Sequence, residues 1–142
     1  MIASQTEPAF RVVTIGEESV GKTSITNRLI SDTFNPYESG TVGANYHQYT
    51  EEIEGYNINV QIWDTAGQER FKSLSPLYFR GADAALAVFS VTSKGSFARL
   101  NEWIESFIEI AGTKTIIYIA ANKIDLEDEI EVSQDEASEW AQ

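Results

Sequence analysis

The sequence predicts an α/β domain in which a mostly parallel β-sheet lies between layers of helices. Apolar runs of strand length alternate along the 142 residues with segments of helical periodicity, which is typical of parallel strands joined by helical crossovers. The hydrophobic fraction of 42% is large enough for a folded core. A glycine-rich segment separates the first such strand from the first such helix. In sheets of this class ligands bind beyond the carboxyl ends of the strands, so a binding site is expected there.

The first predicted strand, Phe10–Ile15, leads into the segment 16–23, which reads GEESVGKT and fits the phosphate-binding pattern GxxxxGK[ST]. Its glycines allow the backbone to wrap a polyphosphate, and its amides and the helix predicted over Ser24–Ile30 point at negative oxygens. Lys22 supplies a positive charge for the β- and γ-phosphates, and the hydroxyl of Thr23 suits Mg²⁺. The predicted phosphate-contacting residues are Gly16, Glu17, Glu18, Ser19, Val20, Gly21, Lys22, Thr23 and Ser24.

A hairpin is predicted next and supplies the one antiparallel strand of the sheet. The segment Gly43–Ile53 precedes a Glu-Gly turn, and apolar residues then alternate with polar ones over 57–62. Asp64 ends this second strand, so its carboxylate is expected at the same sheet edge as Lys22, where it can hold Mg²⁺. The alternative for Asp64 is a polar residue that caps the end of a strand.

Two candidates follow that strand directly. Gly67 has no side chain beyond its Cα, so its amide can approach a γ-phosphate. Gln68 carries both a donor and an acceptor and can orient an attacking water. Gln68 and Lys22 are therefore the predicted catalytic pair. The alternative for Gln68 is a solvated amide in a loop.

The rest of the chain continues the alternation of strands and helices. The runs Ala84–Val91 and Thr115–Ala121 are almost wholly apolar, as in parallel strands covered on both faces. Apolar residues recur at helical spacing over 97–111, where Trp103 is predicted to belong to the core. A capping-box pattern at 133–136 predicts the start of a further helix.

A base-recognition segment is predicted after the run that ends at Ala121. It reads Asn122-Lys123-Ile124-Asp125. The carboxylate of Asp125 can accept two N–H groups from the edge of guanine, which adenine does not offer, so this residue disfavours an ATPase or kinase. The stem of Lys123 can cover the base plane, and Asn122 can join loops. The alternative is a polar turn after a strand.

The composition of the chain limits the classes of molecule and metal that it can bind. The formal net charge is −12, which argues against nucleic acid because its phosphate backbone is bound by Lys and Arg. The chain has no cysteine and so neither disulfides nor thiolate metal ligands. Residues 1–8 lack the features of a signal peptide and are expected to be flexible, whereas 9–142 are expected to form one domain.

The order of these segments resembles the Ras superfamily of small GTPases, and segments 41–43, 63–71 and 78–82 are similar to its Rab branch. Segments 73–77 and 82–85 lean toward the endosomal Rab subgroup. The resemblance implies a P-loop NTPase three-layer sandwich with one antiparallel strand. It also implies a switch that binds GTP or GDP with Mg²⁺, hydrolyses GTP slowly unless a partner activates it, and acts in vesicle trafficking.

The resemblance assigns further site residues. Thr41 matches the threonine that binds Mg²⁺ and senses the γ-phosphate, which makes the implied metal ligands Thr23, Thr41 and Asp64. Phe34 matches the aromatic residue that lies against the guanine ring.

The resemblance also assigns a surface for partners. Effectors, exchange factors and GTPase-activating proteins are expected to bind residues 34–48 and 64–80. Tyr46, Trp63 and Tyr78 match an aromatic triad in that surface, and the alternative for the two tyrosines is hairpin or core packing.

The chain departs from this family at three places. Glu18 stands where the loop usually carries a small residue, and Asn45-Tyr46 replace Asp-Phe. The 142 residues end before the last strand and helix of the family fold, so both are expected to be absent and Thr115–Ala121 to form a sheet edge. The expected location is the cytoplasm, with membrane contact only through a lipidated tail outside these residues. A nucleotide-binding decoy with little turnover is the alternative function.

Overall fold

The computed structural model describes residues 9–31, 44–65 and 75–142. Within these ranges five strands alternate with helices, and a 3₁₀ turn covers Glu127–Glu129. The strands are β1 (Ala9–Ile15), β2 (Ala44–Ile53), β3 (Tyr56–Thr65), β4 (Ala84–Ser90) and β5 (Ile116–Asn122). The helices are α1 (Lys22–Ser31), α2 (Ser75–Phe79), α3 (Lys94–Ala111) and α4 (Gln134–Ala141).

The described strands form one sheet with the order β2-β3-β1-β4-β5. β1 is parallel to both β3 and β4, and β5 is parallel to β4. β2 and β3 form the antiparallel hairpin. This arrangement confirms the predicted α/β class with one antiparallel strand. Because β1, β3, β4 and β5 all point the same way, the segments that follow them meet at one edge of the sheet.

The apolar core lies where β1 and β4 meet α3. Both strands are nearly inaccessible in this region, and α3 contributes the fully buried Leu100, Trp103 and Phe107. The helix is fixed at both ends, since Oγ of Ser93 accepts the N–H of Ser96 at 3.1 Å and the N–H of Gly112 donates to the carbonyl of Ile108 at 2.8 Å. The predicted place of Trp103 in the core is confirmed.

The capping pattern at 133–136 forms as predicted. Oγ of Ser133 accepts the N–H of Glu136 at 3.1 Å at the start of α4. Trp140 then packs edge-on against Phe97, with ring centroids 5.2 Å apart. This contact fastens α4 to α3.

The expectation that both apolar runs are covered on both faces is right for β4 and wrong for β5. β4 is central and largely buried. β5 is the edge strand of the described sheet, as the position of its run predicted, and Ile116 and Tyr118 are 58% and 69% exposed. The side chains of a strand project from the two faces of the sheet, so their exposure means that the described elements leave the faces of β5 partly uncovered.

Two glycines with positive φ provide a matched test of the fold. A Cβ on Gly16 (φ +141°) would overlap the carbonyl oxygen of Val88, whereas a Cβ on Gly55 (φ +82°) would meet nothing within 4 Å. Gly55→Ala should therefore cost about 1 kcal/mol of backbone strain, and Gly16→Ala on the order of 3 kcal/mol. Urea unfolding of the nucleotide-free variants measures both. Equal losses in the free energy of unfolding would show that the close approach of Gly16 to Val88 on β4 does not affect stability.

Candidate functional site

The segment between β1 and α1 is a compact loop whose carbonyl groups are held by three side chains. Nζ of Lys22 donates to the carbonyls of Gly16 and Glu17 at 3.0 and 2.6 Å. Nζ of Lys123 donates to the carbonyl of Ser19 at 2.7 Å, and Nδ2 of Asn122 donates to that of Val20 at 2.8 Å. A trans peptide unit carries its C=O and the next residue's N–H on opposite sides. Fixing a carbonyl therefore also fixes the direction of the amide in the same peptide unit, and an anion site is built from such amides.

The same contacts join the two segments that the sequence predicted as phosphate and base sites. A Cβ on Gly21 would overlap Nδ2 of Asn122, so the second motif glycine is required by the approach of the base segment. Lys123 adopts φ +68°, which bends the chain sharply after β5. Asp125 lies two residues further on and is exposed. Its side chain is therefore accessible from solvent.

Lys22 is a buried cation at the start of α1. Only 5% of the residue is exposed. Burial lowers the pKa of Lys22 from 10.5 to about 8, and the negative charges of Asp64, Glu17 and Glu18 oppose that shift. A polyphosphate at the loop would add negative charge beside Nζ and would favour the charged form of this lysine.

Thr23 and Asp64 meet at the carboxyl end of β3. Oγ1 of Thr23 donates to Oδ2 of Asp64 at 2.5 Å. Oγ1 of Thr14 donates to the other carboxylate oxygen at 2.9 Å, and Asp64 is completely buried. One hydroxyl and one oriented carboxylate fit Mg²⁺, which takes few protein oxygens and completes its shell with phosphate and water. In the described part of the chain, no group of three or more His, Cys, Asp and Glu side chains lies close enough together to hold a metal ion.

The structure brings the three predicted aromatic residues together. The ring centroids of Tyr46 and Trp63 are 4.9 Å apart, and those of Trp63 and Tyr78 are 5.7 Å apart. The guanidinium carbon of Arg11 lies 5.1 Å from the centre of the Trp63 ring. Tyr46 is 46% exposed, whereas Trp63 and Tyr78 are partly buried against the core, so Tyr46 is the accessible end of the row.

Four predicted site residues lie outside the described residues. They are Phe34, Thr41, Gly67 and Gln68. Of the two predicted partner segments, the structure describes 44–48, 64–65 and 75–80.

Sequence reasoning missed two positioning contacts at this site. Thr14 lies within an apolar run and was identified only as part of a strand, although a hydroxyl in such a run needs a buried partner. Trp103 was assigned to the core, and its Nε1 donates to Oε1 of Glu17 in the loop at 3.0 Å. The signal was the indole N–H itself, which requires an acceptor when buried.

A cleft of about 340 Å³ lies between the loop and α3. Glu18, Arg99 and Lys123 are among the residues that line it. Glu18 is exposed, and its charge reaches Lys22, where it raises the pKa.

Comparison with known proteins shows which protein family the chain belongs to. The sequence profile of the Ras family matches residues 11–142, which is nearly the whole chain. The chain therefore belongs to the Ras family.

Its relatives within that family are Rab proteins. It is 40% identical over 133 residues to the human and mouse Ras-related protein Rab-30, which covers 94% of this chain and 66% of those proteins. It is also 40% identical over 134 residues to the putative ras-related protein Rab-5B of Dictyostelium discoideum, which covers 94% of this chain and 62% of that protein. The predicted Rab-type small GTPase is confirmed. The chain spans about two thirds of the length of these relatives.

No helix among the described residues is long and apolar enough to cross a membrane.

The lowered pKa of Lys22 predicts proton uptake when nucleotide binds. Near pH 8 about half of the lysine in the nucleotide-free protein is neutral, and binding should protonate it, so about half a proton per GDP should be taken up. Calorimetric titration in two buffers of different ionisation enthalpy measures this number. Lys22→Arg keeps a permanent charge and is the control, which should lose that uptake. Equal uptake by both proteins would contradict the assignment.

Proposed function

We propose that this chain is a guanine-nucleotide switch that binds GTP and GDP with Mg²⁺ and hydrolyses GTP to GDP. The observation that carries the proposal is the pair of hydrogen bonds from Asn122 and Lys123 to the carbonyls of the phosphate loop. They hold the segment proposed to read the base directly beside the segment proposed to bind the phosphates. Membership of the Ras family supports the same activity.

Thr23 and Asp64 are the proposed protein oxygens for Mg²⁺, and Thr41 is proposed to join them in the GTP state. When bound, the ion neutralises charge on the phosphate oxygens. The hydrogen bond from Thr14 holds the carboxylate of Asp64 in place for this role.

For hydrolysis, Lys22 is proposed to stabilise the negative charge of the transferred group and Gln68 to orient the attacking water. The amide of Gly67 is proposed to contact the γ-phosphate. Slow turnover by the chain alone is expected to rise when an activating protein supplies an arginine in trans.

For base selection, the carboxylate of Asp125 is proposed to accept the N1–H and 2-amino groups of guanine. The stem of Lys123 would cover one face of the base, and Phe34 the edge of the ring. The exposure of Asp125 and the anchoring of Lys123 on the loop support this assignment.

The partners proposed are effectors, exchange factors and activating proteins, which would read residues 34–48 and 64–80. The row formed by Tyr46, Trp63 and Tyr78 supports this, because Tyr46 at its end is exposed and aromatic side chains are enriched at interfaces. A role in vesicle trafficking at the cytosolic face of endomembranes is proposed as well, as the resemblance to the Rab branch implies. The comparisons give no support to the alternative of a decoy.

The test of the proposed function is the choice of base. Asp125→Asn should weaken GDP binding by about 30-fold or more, because two donors on guanine lose their charged acceptor. It should also strengthen binding of xanthosine diphosphate, whose 2-oxo group accepts a hydrogen bond from the new amide. Dissociation rates of both nucleotides and of ADP measure this, with Asp128→Asn on the 3₁₀ turn as the matched control. Equal affinity of the wild-type chain for ADP and GDP would refute the proposal.

Glu18 is predicted to slow hydrolysis. Its carboxylate lies within electrostatic reach of Lys22 and would oppose the charge on the transferred group. Glu18→Gly should raise the single-turnover rate about threefold, and more when an activating protein is present. Glu18→Gln separates charge from size, since it removes only the charge. If neither variant hydrolyses GTP faster than the wild-type chain, Glu18 has no part in the reaction.

A further inference from the structure

A hydrogen bond between α3 and the phosphate loop has no part in the function proposed above. Nε1 of Trp103 donates to Oε1 of Glu17 at 3.0 Å. Trp103 lies in the middle of α3, is 1% exposed, and belongs to the apolar core between that helix and the sheet. A donor that is packed so tightly fixes the place of its acceptor.

Glu17 also contacts the loop lysine through its main chain. Its carbonyl oxygen accepts Nζ of Lys22 at 2.6 Å. The peptide unit that holds this oxygen also holds the N–H of Glu18, which points to the opposite side. The position of Glu17 therefore decides both where Lys22 rests and where one loop amide is aimed.

The bond also determines where the charge of Glu17 lies. A free carboxylate beside a polyphosphate would repel it. The indole N–H holds Oε1 against α3, and a charged acceptor makes this a stronger hydrogen bond than a neutral one.

We propose that Glu17 and Trp103 are positioning residues for nucleotide binding. Their hydrogen bond anchors the phosphate loop to the core through α3 and slows the release of bound nucleotide. The inference rests on the proposed function, because it takes guanine nucleotide as the ligand of the loop.

The experiment compares Glu17→Gln with Glu17→Leu. Both remove the charge at similar size, and only glutamine keeps an oxygen that can accept the indole N–H. Release of a fluorescent GDP analogue, chased with excess GDP, should be about fivefold faster from E17L than from E17Q, which corresponds to about 1 kcal/mol. In a W103F background the two variants should agree within about twofold.

Trp140→Phe is the matched control, because Trp140 packs on Phe97 rather than on the loop. It should release the analogue at the wild-type rate. The indole N–H resonance of Trp103 gives a second measure without nucleotide, and it should lie further upfield in E17L than in E17Q. If W103F fails to fold, the difference in release between E17Q and E17L and the shift of this resonance together test the positioning role.

The outcomes separate the two hypotheses. Equal release from E17Q and E17L, or a difference that persists in W103F, overturns the positioning role alone. A wild-type chain that retains no guanine nucleotide overturns the proposed function instead.

Discussion

The site depends on the anchoring of the carbonyl groups of one loop. Backbone amides cannot bind an anion unless they converge, and peptide planarity links each amide to the carbonyl before it. Lys22, Asn122 and Lys123 hold four of the loop carbonyls. The amides are therefore aimed before a ligand arrives, which reduces the ordering that binding requires. The sheet order makes this possible, because β1 and β5 both flank β4 and deliver their loops to the same edge.

The proposed phosphate site holds a positive charge, although the chain as a whole is strongly negative. The net charge is −12, yet one buried ammonium stands where the phosphates are proposed to bind. Its pKa of about 8 means that the unfolded chain binds more protons than the folded chain from about pH 8 to 10.5. The burial of Lys22 therefore costs stability below pH 8, and this cost falls as the pH rises through that window. The folded state is therefore less stable because it buries the cation that the proposed binding of phosphate requires.

The local part of the structure could be predicted from the sequence. The cap at Ser133 uses a short-range hydrogen bond that the sequence pattern identifies, and the phosphate loop has a fixed spacing of residues. Contacts over long separations could not be predicted. Nothing in the neighbours of Trp103 indicates that its N–H meets a loop 86 positions away. Whether the side chains of an apolar strand such as β5 are buried depends on what covers the faces of the sheet rather than on the strand's own residues.

The close approach of Gly21 to Asn122 ties two distant positions together in evolution. Any side chain at position 21 would occupy the space of the amide, and a smaller residue at 122 would release the carbonyl of Val20. A substitution at either position alone disturbs the packing of the Asn122 amide or removes its hydrogen bond to Val20. No single substitution elsewhere restores both the packing and the hydrogen bond. The pair is therefore expected to be inherited as a unit, even where the surrounding loop residues diverge.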